Sequence, residues 1–167
     1  MTAEDLIISL GLKPLPWEGG YYRETWRTAA EIPQDALGDV YSGPRSAGTA
    51  IYYLLTPDTI SKMHRLPSDE TFHFYMGDPV EMLLLYPPEH ATGIVTFGQD
   101  IASGQVVQFT VPGNVWMGAR LKAGAAGYAL MGTTVAPGFD FDDLEMGEGE
   151  SLTAAWPDAA ELIGELS

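Results

Sequence analysis

The chain has 167 residues, 46% of them hydrophobic, and a mean hydropathy of −0.01. That is the composition of one globular domain, residues 1–167, with a core of its own. Its 23 acidic residues outnumber 8 basic ones for a net charge of −15, which repels phosphate backbones and anionic lipid and argues against nucleic-acid and membrane partners. The absence of cysteine excludes disulfides, thiolate metal sites and cysteine nucleophiles, and is compatible with a cytoplasmic setting. No apolar run is long enough to span a bilayer, and the N-terminus lacks the basic and long apolar regions of a cleaved leader.

The first predicted element is a short helix over residues 2–10. Thr2 suits its N-cap, Asp5 stands three residues on, and Gly11 ends it. Leu6, Ile7 and Leu10 form an apolar face, and Pro14 and Pro16 stop the helix continuing. Gly19-Gly20 then opens an alternating strand over residues 21–27, in which Arg23 and Glu24 suit an edge ion pair or a pocket wall. Residues 28–46 have no periodicity and read as a long loop of the kind that covers a site or a subunit contact.

From residue 47 the pattern becomes eight short strands, at about 48–55, 60–65, 70–76, 80–86, 92–98, 105–111, 115–121 and 126–135, separated by Pro, Gly, Asn and Asp. This predicts an all-β sandwich or barrel. Residues 137–150 carry six carboxylates, but Phe139, Phe141 and Leu144 alternate with them and the spacing is not that of an EF-hand. The segment reads as a solvated acidic loop rather than a cation site. A last helix follows, with Asp158 as cap, Glu161 completing a capping box and Leu162, Ile163 and Leu166 on its apolar side.

The chemistry concentrates between residues 59 and 79, which hold two of the three histidines, His64 and His73, and Glu70 between them. Pro67, Ser68 and Asp69 make a turn. Strict alternation puts Ile60, Lys62 and His64 on one face before it, and Glu70, Phe72, Phe74 and Met76 on one face after it. If the two runs pair, His64 and Glu70 converge on one interior and His73 points away. An imidazole beside a carboxylate can trade a proton, orient a polar ligand or share a cation.

These residues resemble the first motif of the cupin superfamily, Gly-x5-His-x-His-x3-Glu-x6-Gly. His64, Glu70 and Gly77 match, while Leu66 stands at the second histidine and Asp58 at the opening glycine. The second motif, Pro-x-Gly-x2-His-x3-Asn, resembles Pro112 to Leu121, with Asn114 at the glycine and Met117 at the histidine. Glu18 to Arg27, Thr49 to Leu55, His64 to Glu70 and Ala136 to Leu144 are together similar to one small cupin family of unknown function, the fifth cupin group.

The resemblance implies a double-stranded β-helix, or jelly-roll barrel, with short N- and C-terminal helices, and a homodimer in which the N-terminal strand or the long loop reaches the partner. It also implies no tightly held metal. A weak divalent cation, if any, would have only His64 and Glu70, with Met117 as a soft thioether. Metal-free cupin relatives pair a histidine base with a tyrosine acid, and Tyr52, Tyr53 and Tyr75 are candidates for the acid, Tyr52 and Tyr53 lying on opposite faces.

The expected function is a metal-independent isomerase, epimerase or lyase acting on a sugar-like or keto-acid-like molecule, with His64 as acid/base and Glu70 as its orienter. Lys62, Tyr53, Phe72, Trp116 and Met117 are the expected ligand-binding side chains, Lys62 for a carboxylate or phosphate and Trp116 for stacking. The alternatives are a non-catalytic module for a small polar metabolite and a metal-dependent enzyme with a reduced ligand set.

Overall fold

The computed structural model describes residues 1–167. Most of the chain lies in two antiparallel sheets. The larger orders its strands β1 (Lys13–Pro14), β2 (Tyr21–Arg27), β5 (Thr49–Leu55), β12 (Ala129–Ala136), β7 (Asp69–Gly77) and β10 (Gln108–Val111). The smaller orders β13 (Glu145–Met146), β6 (Ile60–Arg65), β11 (Trp116–Leu121), β8 (Val80–Tyr86) and β9 (Ala91–Phe97). The predicted loop at 28–46 contains an antiparallel pair of two-residue strands, β3 (Glu31–Ile32) with β4 (Arg45–Ser46), and between them one turn of helix, α2 (Gln34–Leu37).

The core lies between the two sheets. Tyr53, Leu55, Phe72, Phe74 and Met131 from the larger sheet pack against Val80, Met82, Leu84, Met117 and Ala119 from the smaller. Alternation alone supplies these inward residues. The outer faces are covered as well, so the run Met82–Leu85 is buried on both sides. Helix α1 (Ala3–Leu10) sets Leu6 against Leu54, Tyr128 and Leu130. Its Thr2–Asp5 capping box forms as expected, and Gly11 ends it in a left-handed conformation at φ 61°.

At the other end, α3 (Gly149–Ala155) and α4 (Ala160–Glu165) cover the smaller sheet through Leu152, Trp156, Ile163 and Leu166. The expected Asp158–Glu161 capping box does not form, because Pro157–Ala159 is a 3₁₀ turn leading directly into α4, and a further helix precedes it at residues 149–155. No helix is long and apolar enough to cross a membrane. Asn114 is left-handed at φ 66°, at the position where the motif has glycine.

The predicted pairing of residues 60–65 with 70–76 does not occur. β6 and β7 lie in different sheets, and the chain crosses between them at residues 66–68. His64 and Glu70 therefore approach each other across the interior.

Candidate functional site

A cavity of about 400 Å³ opens at one end of the space between the sheets, within the range of small-molecule sites. His64, Glu70, Tyr53 and Phe72 line its depth, and all four are buried. Its mouth is formed by residues of β1 and β2 with Phe139, Asp140 and Phe141, and the Phe139 carbonyl accepts from Arg27 at 2.9 Å. Three of the expected residues are elsewhere. Trp116 packs on the outer face among the C-terminal helices, under the Arg65 guanidinium, and Met117 is buried in the main core away from the lining. Lys62 is exposed and does not line the cavity.

The displacement of Lys62 has a local cause. On β11, Met117 faces His64 and Ala119 faces Ser61, so three steps along β6 oppose two on β11. β6 carries one extra residue, a β-bulge, which breaks the alternation that placed Lys62 beside His64. Ser61 and His64 turn inward while Met63 turns outward beneath the C-terminal helices. The bulge is held from both sides. The Lys62 N–H donates to the Glu18 carbonyl at 2.8 Å, and the Met63 N–H donates to the Leu166 carbonyl at 2.8 Å.

The same bulge fixes the histidine. His64 Nδ1 lies 2.7 Å from the Lys62 carbonyl oxygen. A carbonyl only accepts, so Nδ1 carries the proton and Nε2 is left as the basic atom of the neutral ring. Nε2 faces Glu18 Oε2 at 3.9 Å. The expected orienter, Glu70, does not hold the ring. The Lys62 carbonyl does, with Glu18 as the nearest carboxylate.

Sequence reasoning missed Glu18 as a site residue. It lies on the β1–β2 turn, is buried, and accepts a hydrogen bond from Ser61 Oγ at 2.9 Å. Gly19 and Gly20 carry it inward at φ 99° and 73°. A Cβ on Gly19 would collide with the Ile60 carbonyl, and one on Gly20 would stand 2.8 Å from the Tyr53 hydroxyl. The Gly-Gly pair was the available signal, since it marks a close backbone approach as well as a strand start.

Glu70 is the electrostatic anomaly. Burial, and then repulsion from the Glu18 carboxylate, push its carboxyl up to about 7, against opposing pulls from His64 and the Thr133 hydroxyl. Burial and Glu18 also push the Tyr53 phenol well above its ordinary value, and its O–H donates to the Gly19 carbonyl at 3.0 Å. Tyr52 and Tyr75 meet edge to face outside the cavity, with ring centroids 6.2 Å apart. His73 also points away, bonded to Thr134 and Gln108. Glu24 pairs with Arg27 rather than Arg23, and all three line the mouth.

Leu66 has no donor atom, Met117 is committed to core packing, and no group of three or more His, Asp or Glu side chains is arranged to hold a metal ion.

The family description "Cupin superfamily (DUF985)" matches residues 4–147, and the chain belongs to this family. The uncharacterized protein YML079W of Saccharomyces cerevisiae is 34% identical over 142 residues, covering 80% of this chain and 69% of the yeast protein. A hypothetical protein from Leishmania major superposes with a TM-score of 0.90 at 34% identity, over 100% of this chain and 99% of its own. Protein SO0799 from Shewanella oneidensis does so with 0.87 at 31%, over 100% and 98%. Oxalate decarboxylase from Bacillus subtilis shares the fold alone, at a TM-score of 0.52 and 13% identity, over 93% of this chain and 37% of that enzyme. The protein is thus a cupin-fold member of an uncharacterised family.

Proposed function

We propose that the cavity is a metal-independent acid–base site of the isomerase, epimerase or lyase type, acting on a small carbonyl compound. The supporting observation is a buried imidazole and a buried carboxyl lining one hollow. The Lys62 carbonyl holds the His64 Nδ1 proton and turns Nε2 toward Glu18, while burial and Glu18 raise Glu70 to about 7. A buried imidazole sharing a cavity with a carboxyl of raised pKa is a candidate acid–base pair.

In the reaction this reading describes, Nε2 takes a proton from the carbon beside a carbonyl, giving an imidazolium and an enolate. The neutral Glu70 carboxyl donates a hydrogen bond to the enolate oxygen. Return of the proton to the opposite face of the same carbon, once the enolate has turned over in the cavity, completes epimerisation. For isomerisation Glu70 gives its proton to the enolate oxygen and takes one from the neighbouring hydroxyl, and the imidazolium protonates the former carbonyl carbon. Glu18 steadies the imidazolium from 3.9 Å. The roles of the expected pair are therefore redistributed, with Glu70 as acid and Glu18 as partner.

Solvent exchange tests this directly. In D₂O with a panel of 2-oxo acids and reducing sugars, proton NMR should show loss of the signal beside the carbonyl of a turned-over compound. Removing a positioned acid or base typically costs about 10²–10⁴-fold, so His64→Ala should slow exchange by at least about a hundredfold. Equal exchange by wild type and variant would remove His64 from the chemistry. A second reading, a non-catalytic binding pocket, draws on Tyr53, whose hydroxyl is committed to the Gly19 carbonyl and not free as a second acid. Ligand-raised melting temperature without exchange is its signature.

A further inference from the structure

Alternation with acids suits Phe139 and Phe141 to core packing, yet both line the mouth of the cavity instead, outside the main core. Phe141 is 40% exposed, and Trp17, which lies against it, is 68% exposed.

Three aromatic rings meet there. Phe139 and Phe141 stand edge to face with ring centroids 5.0 Å apart, and Trp17 stands edge to face with Phe141 at 5.6 Å. Trp17 is left-handed at φ 62°, a conformation that is costly for a bulky residue and that collects at functional sites. It directly precedes Glu18, so one turn carries a carboxylate to His64 and an indole to the rim.

The rim is fixed in place. The Phe139 N–H donates to Thr49 Oγ1 and the Phe139 carbonyl accepts from Arg27, both at 2.9 Å. Beyond Phe141, Asp143 is clamped by Arg45. Rings held in this way lose little freedom when a ligand packs on them.

The register sets the distance from this rim to the chemistry. Glu70 pairs with Val135, and Val135 with Thr49, in one row across β7, β12 and β5. Two strand spacings, about 10 Å, therefore separate Glu70 from the residue that anchors Phe139. A small molecule with a carbonyl at one end and a ring at the other can span it.

We propose that Trp17, Phe139 and Phe141 form an aromatic subsite at the cavity mouth, so that the ligand carries a flat aromatic ring at the end remote from His64 and Glu70. Such a ring packs edge to face or offset against them and gains more than its buried area alone supplies. This deepens, and rests on, the reading of the cavity as a small-molecule acid–base site. It gives these rings the stacking role that the sequence assigned to Trp116. Trp17 and Phe141 are exposed, so replacing them leaves the core intact.

The test compares phenylpyruvate with pyruvate on the full chain, two 2-oxo acids that differ by the phenyl ring alone. Affinity is read by saturation-transfer NMR and by melting temperature. Phenylpyruvate should bind at least about tenfold more tightly, with the strongest saturation on its ring protons. In the Trp17→Ala/Phe141→Ala double variant that preference should fall toward one while pyruvate affinity is unchanged. Trp17→Phe, which keeps a ring, should retain most of it.

The proposal is overturned if phenylpyruvate binds no more tightly than pyruvate, if the double variant keeps the preference, or if phenylpyruvate does not bind at millimolar concentration. Deuterium exchange beside the carbonyl in the same samples separates the two readings. Ring-selective binding without His64-dependent exchange keeps the subsite and removes the acid–base chemistry. His64-dependent exchange of phenylpyruvate, with a rate and affinity that the double variant leaves unchanged, does the reverse.

Discussion

Replacing Glu70 by glutamine tests the electrostatics of the cavity without any knowledge of its ligand. Glutamine has nearly the same shape but cannot ionise, so any pH-dependent difference from wild type reports the Glu70 proton. The folded-state value is about 7 against an ordinary 4.5. Between those values the folded chain holds a proton that the unfolded chain has released, so wild-type stability falls as pH rises through this window. A gap of that size, at about 1.4 kcal/mol per unit, is about 3 kcal/mol once the carboxyl is ionised in both states. Below pH 4.5 the penalty is absent.

Between pH 5 and pH 8, Glu70→Gln should therefore gain about 2 to 3 kcal/mol relative to wild type. Urea denaturation of both proteins at half-unit pH steps measures it, because groups common to both cancel in the difference. Parallel stability curves across the window would refute the claim that Glu70 is held protonated by burial. A gain that rises toward acid would reverse its sign.

Three further outcomes follow from the same contacts. Glu18→Gln removes the carboxylate that raises Glu70, so the midpoint of the wild-type stability decline should move to lower pH, and an unchanged midpoint counts against Glu18. Gly19→Ala forces a side chain into left-handed backbone at φ 99° and against the Ile60 carbonyl. It should cost more than about 2 kcal/mol in urea denaturation, and a neutral result would mean that the turn has another conformation. Arg45→Ala strands Asp143, whose two oxygens it holds at 2.6 and 2.7 Å with both side chains 5% exposed. The expected cost is about 3 kcal/mol, and a double-mutant cycle with Asp143→Ala should show coupling of the same order.

The sequence by itself determined the strands. Their alternation and the Pro and Gly turns between them are local signals, and the eight predicted segments overlap β5 to β12 within a few residues. It also located His64, Glu70, Tyr53 and Phe72, because each lies on a regular inward-facing position or a matching motif position. Three decisions belonged to tertiary structure alone. The bulge in β6 shows itself only against β11, and that one extra residue sends Lys62 outward and puts its carbonyl on His64. Trp116 and Met117 could be assigned to faces only once the C-terminal helices had covered the outer one. Glu18 is 46 residues from His64 in the chain, and only the fold of the Gly19-Gly20 turn against Ile60 and Tyr53 brings its carboxylate to the imidazole. Periodicity reads neighbours along a strand, whereas the field inside the cavity is set by groups from strands that never pair.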